Sequence, residues 1–273
     1  MNLKDSYRSF SGEALGRREL PGFALTEVAY SPGLKMQGHS HEPAYFSLVL
    51  QGTYTESYGQ KTRDCKASSL VFHPPGEKHA VEFHTKGARI FRVEIKPECL
   101  ERVREHTSVL DRPLGFQGGW SACLAARLYN EFRATDPAAP LAIEGLTLEI
   151  LAEASRDEVI SYECHPPRWL RQARDLLHDQ FSENLSLADV AEAVRVHPVY
   201  LARAWRKHFH CTVGQYLRRL RIESACREIA RSDASLAEIA VAAGFYDQSH
   251  FSRTFKNITG LTPAEYRIVF RAS

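Results

Sequence analysis

The sequence predicts an α+β chain of more than one folding unit: a small antiparallel β-barrel with accessory helices, followed by an all-α domain of tandem helix-turn-helix units. Three observations carry this expectation. An N-terminal stretch rich in Val, Phe, Tyr and Thr is cut at short intervals by Gly and Pro, apolar residues then fall at helical spacing, and the C-terminal part contains one pattern twice. With 273 residues, 44% of them hydrophobic and 25% charged, the chain has enough apolar material for packed cores, which excludes disorder for most of it.

The segments FALTEVAYS, YFSLVLQGTYTESYG, SSLVFHPPG, HAVEF and ARIFRVEI read as strands, and residues 1–96 are assigned to the barrel. After Pro97 the segments PECLERVREHTSVL, GWSACLAARLYNEFRA and PLAIEGLTLEILAEASRDEV read as amphipathic helices, with Leu146, Ile150 and Leu151 toward one side of the last. Residues 97–164 are therefore assigned to a helical dimerisation and linker region. The tandem prolines Pro166 and Pro167 in YECHPPRW interrupt helix and mark the boundary to the third unit, residues 165–273.

Charge divides at the same boundary. Residues 165–273 hold 16 Lys and Arg against 11 Asp and Glu, a balance of +5, whereas residues 1–164 hold 19 against 22, a balance of −3. A polyanionic partner for the C-terminal unit alone fits that asymmetry. The six cysteines are scattered singly without a C-x-x-C pair, as expected of a reduced, cytoplasmic protein. The opening MNLKDSYRSF has no long apolar core, and no run approaches the roughly 18 apolar residues of a membrane span, so no membrane partner is expected.

The repeat carries the most information. Leu187-Ala-Asp-Val-Ala lines up with Leu236-Ala-Glu-Ile-Ala, and Arg203, Trp205, Thr212 and Tyr216 line up with Arg253, Phe255, Thr262 and Tyr266. Each copy opens on a capping box, Ser186-x-x-Asp189 or Ser235-x-x-Glu238, and closes on another, Thr212-x-x-Gln215 or Thr262-x-x-Glu265. Between them lie two short helices and a tight turn. Leu201, Trp205 and His208 in one copy, and Phe251, Phe255 and Ile258 in the other, share a face expected to be buried. The opposite faces present Val199, Tyr200, Ala202, Arg203, Arg206 and Lys207, and Gln248, Ser249, His250, Arg253 and Lys256. Short helices with such outward faces have the form of helix-turn-helix recognition helices.

The segments LSLADVAEAVRVHPVYLARAWRKHF and SLAEIAVAAGFYDQSHFSRTFKNITGLTPAEYR closely resemble the DNA-binding domain of the AraC/XylS family of bacterial transcription regulators, over about residues 168–271. The resemblance implies two recognition helices entering successive major grooves of double-stranded promoter DNA, a homodimer, contact with RNA polymerase and, as a working assignment, an activator. Three departures stand out: Arg195 replaces the usual turn glycine, His197 a common capping Ser, and His210 the glycine kept in the second copy as Gly260. A non-glycine residue at positive φ is strained, so the first unit is expected to turn differently or to be less stable.

In the N-terminal part, Gly33-x5-His39-x-His41, Gly52 and Pro74-x-Gly76-x-x-His79 resemble the two motifs of the cupin superfamily, a small β-barrel that binds a metal through such histidines and a glutamate. Here Tyr45 holds the glutamate position, Ser68 that of an opening glycine and Phe83 that of a terminal asparagine. His39, His41 and His79 could still form a three-imidazole site with an open position, suited to Zn²⁺ or Fe²⁺; His73 and His84 are further candidates. The alternative is that no metal is held and that His39, His41, Tyr45 and His79 line a barrel mouth that binds a small-molecule effector; Tyr45, Phe46, Tyr54 and Phe72 suggest a partly aromatic pocket, although aromatics in small barrels are more often core. Three functions follow: an effector-controlled transcription regulator, a metal-dependent cupin enzyme fused to a DNA-binding domain, or an effector-independent architectural DNA binder. No nucleophile, base and orienting group can be assembled from the spacing, so the expectation is the regulator and not an enzyme.

Overall fold

The computed structural model describes residues 12–107, 109–117, 119–162 and 166–271. The N-terminal part is an antiparallel sheet of eight strands: β1 (Glu13–Glu19), β2 (Phe23–Tyr30), β3 (Lys35–His39), β4 (Ala44–Tyr58), β5 (Lys61–Lys66), β6 (Ser69–His73), β7 (His79–Ile95) and β8 (Leu114–Gln117). Their order is β1-β2-β7-β4-β6-β8, with β3 on β7 and β5 on β4. The long strands β4 and β7 pair from Ala44 opposite Ile95 to Tyr58 opposite His79, with irregularities near Gln51 and Thr53. Gly52 is required at that bend: its φ is +77°, and a Cβ there would lie 2.0 Å from the Gly87 carbonyl oxygen.

HAVEF and ARIFRVEI, expected as separate strands, form the single strand β7, while β1, β3, β5 and β8 were not foreseen. The reason is visible in β5, where KTRDCK buries only Cys65, so an edge strand of this kind has little apolar alternation. The two faces of the sheet have different duties. On β7, Phe91, Val93 and Ile95 join the core shared with the helices, whereas Ala88 and Ile90 join a second cluster around the barrel lumen with Val28, Tyr30, Tyr54 and Phe83. Of the two readings of the barrel aromatics, Phe46 and Phe72 follow the core one: both lie in the core under the helices and not in a pocket. Neighbouring residues on a strand point to opposite faces, so Tyr45 and Phe46 cannot both enter the lumen.

Helices α1 (Pro97–Arg104), α2 (Gly119–Arg133) and α3 (Ala139–Tyr162) follow. Leu146, Ile150 and Leu151 are buried as their spacing implies. The expected boundary at YECHPPRW lies partly outside the described residues; the chain continues from Pro166 into α4 (Arg168–Asp179). Then come α5 (Leu187–Ala193), α6 (Pro198–Phe209), α7 (Val213–Arg231), α8 (Leu236–Ala242), α9 (Gln248–Thr259) and α10 (Pro263–Phe270). All four capping boxes form, at Ser186, Thr212, Ser235 and Thr262. His197 caps α6 in place of the usual hydroxyl, its Nδ1 accepting from the Val199 amide at 3.3 Å.

The turns of the first unit keep the glycine conformation without glycine. Arg195 has φ 56° and His210 φ 55°, beside 80° for Gly244 and 76° for Gly260, and Ser68 has φ 67°. The two units differ instead in what they pack against. Leu170, Leu177, Val190, Leu201, Trp205 and Leu217 close a core of the first unit. Among the described residues the second unit has no separate core: Ile239, Phe251, Phe255, Tyr266 and Phe270 run into the same cluster as Cys123, Leu124 and Phe91. The Cys123 and Cys226 sulfurs, on α2 and α7, meet at 3.6 Å in that seam.

Candidate DNA-reading surface and sensor cluster

The recognition faces follow from the burial of their opposite sides. On α6, Leu201 and Trp205 are fully buried, which turns Val199, Tyr200, Arg203, Arg206 and Lys207 outward; Ala202 is half-buried at the edge of that face. On α9, burial of Phe251 and Phe255 exposes Gln248, Ser249, His250, Arg253 and Lys256. Among the described residues none of these five Arg and Lys side chains enters an ion pair, so their charge is free to meet phosphate. Val199 is 60% exposed and Tyr200 56%, with Tyr200 leaning on Trp169 of α4. Sequence reasoning passed over Tyr246, which stands 96% exposed next to Asp247, the residue that caps α9. Its place one residue before the cap was the available signal.

The expected sensor residues do converge. His39 on β3, His41 just after it and His79 at the start of β7 bring their rings to 4.4–5.4 Å of one another, and the Tyr45 hydroxyl donates to His79 Nε2 at 3.0 Å. The Nδ1–H groups of His39 and His79 donate to the Gln37 and Glu77 carbonyls at 2.8 and 3.1 Å, which leaves Nε2 as the lone-pair atom of each ring. His73 joins them, stacked on Tyr45 at 4.6 Å, while His84 does not: it is exposed and bonded to Thr53 and Thr55.

Beneath the histidines lies a charge network that the motif comparison missed. Glu56 accepts from His73 Nε2 at 3.0 Å and from Arg63 Nε at 2.5 Å, and Arg63 also reaches the Leu114 carbonyl at 2.8 Å. Burial would raise the Glu56 pKa, but His73 and Arg63 outweigh it and hold the carboxyl down at about 2. The Arg92 guanidinium lies 4.1 Å over the Tyr45 ring. Burial lowers His41 to about 2 and His79 to about 4, with the positive charge of Arg92 and neighbouring imidazoles adding to the former. His41 and His79 are thus neutral near pH 7. Counting alternate residues from Tyr54 along β4 would have found Glu56 on the same face.

Comparison with known proteins decides the family. Residues 22–151 match the model of the AraC-like ligand binding domain, and residues 190–268 match a helix-turn-helix domain model, which together take in most of the chain. This chain belongs to the AraC family of transcriptional regulators. It is 25% identical over 221 residues to the HTH-type transcriptional regulator YisR of Bacillus subtilis, covering 80% of this chain and 76% of that one. It is 27% identical over 118 residues to the melibiose operon regulatory protein of Escherichia coli, where the match spans only 39% of the relative. Among solved structures, the C-terminal domain of AraT from Geobacillus stearothermophilus is 31% identical, covering 40% of this chain and 92% of that domain, with a TM-score of 0.39.

As an AraC-family regulator the chain joins a ligand-binding unit to a DNA-binding one. No helix among the described residues is long and apolar enough to cross a membrane. The donor atoms of His39, His41 and His79 lie within 4.8 Å of one another, as do those of Glu56, His73 and His79. Neutral imidazoles oriented through Nδ1–H to backbone carbonyls are the donor type that Zn²⁺ or Fe²⁺ takes. By donor type the three histidines fit such an ion, while the Arg92 guanidinium acting on His41 opposes a dication there.

Proposed function

We propose that this AraC-family chain is a cytoplasmic homodimer that reads promoter DNA through α6 and α9, responds to a small molecule, contacts RNA polymerase and catalyses no reaction. What supports the reading most is the pair of outward faces at matching positions of the repeat, with Arg203, Arg206 and Lys207 on one and Arg253 and Lys256 on the other, none of them in an ion pair among the described residues. Val199, Tyr200, Ala202, Gln248, Ser249 and His250 complete the two faces. The helical region 97–164 is assigned to dimerisation. The sensor cluster of His39, His41, Tyr45 and His79 is assigned to a small polar group of an effector at the barrel mouth.

The test is titration of the full-length chain with the DNA upstream of its own gene, by fluorescence anisotropy at several salt concentrations. The full chain is needed because the second unit shares its core with the barrel. The affinity is expected to fall steeply and log-linearly with salt, since each neutralised phosphate releases counterions. Absence of binding, or binding without a salt slope, overturns the reading.

A second reading has one observation in its favour, the orientation of His39 and His79 through Nδ1–H to backbone carbonyls. In it the sensor carries a Zn²⁺ or Fe²⁺ ion on His39, His41 and His79, a Lewis acid that would receive an effector oxygen. Elemental analysis of the purified protein tests it: one equivalent of metal lost in His39→Ala with His41→Ala supports it, and metal-free protein with unimpaired effector response rejects it.

A further inference from the structure

The start of α4 lies against the recognition helix of the first unit. The Trp169 ring meets the Tyr200 ring at 5.3 Å, and Tyr200 sits in the first turn of α6. A recognition helix reads base edges with its N-terminal residues. The contact therefore sets the first turn of α4 beside the end of α6 that faces the bases.

Helical geometry decides which α4 side chains share that side. Leu170, Ala173 and Leu177 are fully buried in the core of the first unit, so the solvent face of α4 is the one opposite them. At about 100° per residue, Gln172 and Arg168 lie about 60° and 100° round from Trp169 toward solvent, whereas Arg171 lies about 160° away on the far flank. Arg168 and Gln172 are thus neighbours one turn apart on the side of α6. Arg168, Arg171 and Gln172 are all exposed.

The charge of this turn is unopposed. It holds no acidic residue, and neither Arg168 nor Arg171 enters an ion pair among the described residues. Farther along the helix Arg174 is held by Asp175 at 3.3 Å. A cation beside the base-facing end of a recognition helix is complementary to the sugar-phosphate backbone that borders the groove, where most protein–DNA hydrogen bonds are made.

We propose that Arg168 and Gln172 of α4 hold a DNA phosphate on the strand bordering the major groove read by α6. The proposal rests on the regulator reading and extends the DNA surface of the first unit from one helix to two. It assigns no base contact to α4, so the contribution is the same for every sequence. Its use is in register: α6 offers few base-reading groups, and a phosphate held from a second helix fixes the position at which Arg203 meets its base pair.

Anisotropy titration of the full-length chain with the DNA upstream of its own gene, at several salt concentrations, tests the proposal. Arg168→Gln is expected to weaken binding about tenfold, the scale of one charge-assisted hydrogen bond, and to lower the salt slope by about one unit. Arg168→Lys should keep most of the affinity, and Gln172→Ala should lose about threefold with the slope unchanged. Arg171→Gln, on the far flank of the same turn, should bind as the parent does. All four variants should keep the parent unfolding temperature, since the side chains are exposed. Neutral methylphosphonate linkages placed one at a time along the duplex give a second measurement: the parent should lose affinity at a linkage bordering the half of the site that Arg203 reads, and Arg168→Gln should lose none there. Equal weakening by Arg168→Gln and Arg171→Gln overturns the proposal, because it marks a diffuse charge effect, and so does a loss confined to particular base pairs, which marks base readout. Identical methylphosphonate profiles for the parent and Arg168→Gln overturn it as well. A parent that binds with a steep salt slope while Arg168→Gln changes nothing overturns the α4 contact and leaves the regulator reading standing; a parent that binds no DNA overturns both.

Discussion

Ser68 and Tyr266, 198 residues apart, join the sensor to the DNA-binding unit: the Ser68 Oγ and the Tyr266 hydroxyl lie 3.1 Å apart, and both residues are buried. The contact sits in a core that runs without a break from the barrel through α2 into α7–α10. A barrel and a second helix-turn-helix unit sharing one core should unfold together.

Tyr266→Phe is accordingly expected to lower the free energy of unfolding by about 1–2 kcal/mol, because it leaves the buried Ser68 hydroxyl without this partner. Ser68→Ala should cost a similar amount and the double variant less than the sum. Urea unfolding followed by circular dichroism checks this, and fully additive losses would show that the two hydroxyls do not interact.

The left-handed residues Arg195 and His210 supply a prediction of opposite sign. Each holds φ near 55° where a side chain is unfavourable. The conformation costs a residue with a Cβ roughly 1–2 kcal/mol, of which glycine returns part through its greater chain entropy. Arg195→Gly and His210→Gly should each raise stability by about 0.5–1 kcal/mol in the first unit. The comparison is with Ser68→Gly, which relieves the same strain but loses the Tyr266 bond and should bring no gain. A fall in melting temperature for both first-unit variants would refute the strain argument.

How much of this was legible in the sequence differs by part. The helical units were, because capping boxes and three- and four-residue spacing are local signals: Ser186, Thr212, Ser235 and Thr262 cap where their motifs place them. The departures from glycine at Arg195 and His210 pointed to positive φ, and the backbone keeps it at both. The barrel was less legible. Strand β5 pairs through backbone bonds and buries one side chain, so its sequence hardly differs from a loop. Glu56 escaped because the resemblance directed attention to the Tyr45 position, whereas the carboxylate comes from farther along β4 and is recognised only by its register with Tyr54. The sharing of one core by the barrel and the second unit left no mark in either segment, since a buried Phe251 or Phe255 looks the same whatever it faces.

Acid should loosen the barrel before the carboxylates titrate. His41 and His79 have ordinary values near 6.5 when unfolded and are depressed in the folded chain, to about 2 and about 4. Between those limits the unfolded chain binds more protons, so stability rises with pH. The contribution of these neutral histidines is complete above pH 6.5 and is lost as pH falls from there toward 4. Partial solvent access reduces the effect, to about 1 kcal/mol for each histidine between pH 7 and pH 5. His79→Gln, compared with the parent at both pH values in urea, should flatten the dependence; an unchanged slope would show that this imidazole is not held neutral by its surroundings.

The two recognition helices should contribute unequally to specificity. If they enter successive major grooves they lie about one DNA turn, roughly 34 Å, apart on one face of the duplex. Helix α9 exposes Gln248, Ser249, His250 and Arg253, four side chains able to form hydrogen bonds with base edges. At the matching positions α6 offers Arg203 with Tyr200 beside it, and Tyr200 is already engaged with the Trp169 ring at 5.3 Å. Arginine can pair with two acceptors on guanine, a contact worth roughly 1–3 kcal/mol of discrimination. Arg253→Ala should therefore relax sequence preference in one half of the site and Arg203→Ala in the other. Gln248→Ala combined with His250→Ala should cost further selectivity in the α9 half. Val199 exposes an apolar surface suited to a thymine methyl, so Val199→Ser should weaken affinity for sites with thymine opposite it and leave the α9 half untouched. Arg206→Ala and Lys256→Ala, by contrast, should weaken all sequences alike and lower the salt slope by about one unit each, the signature of a phosphate contact. Binding each variant to a library of operator mutants separates these outcomes. Equal loss of preference in both halves for every substitution would sink the asymmetry, and so would a preference in the α6 half that survives Arg203→Ala.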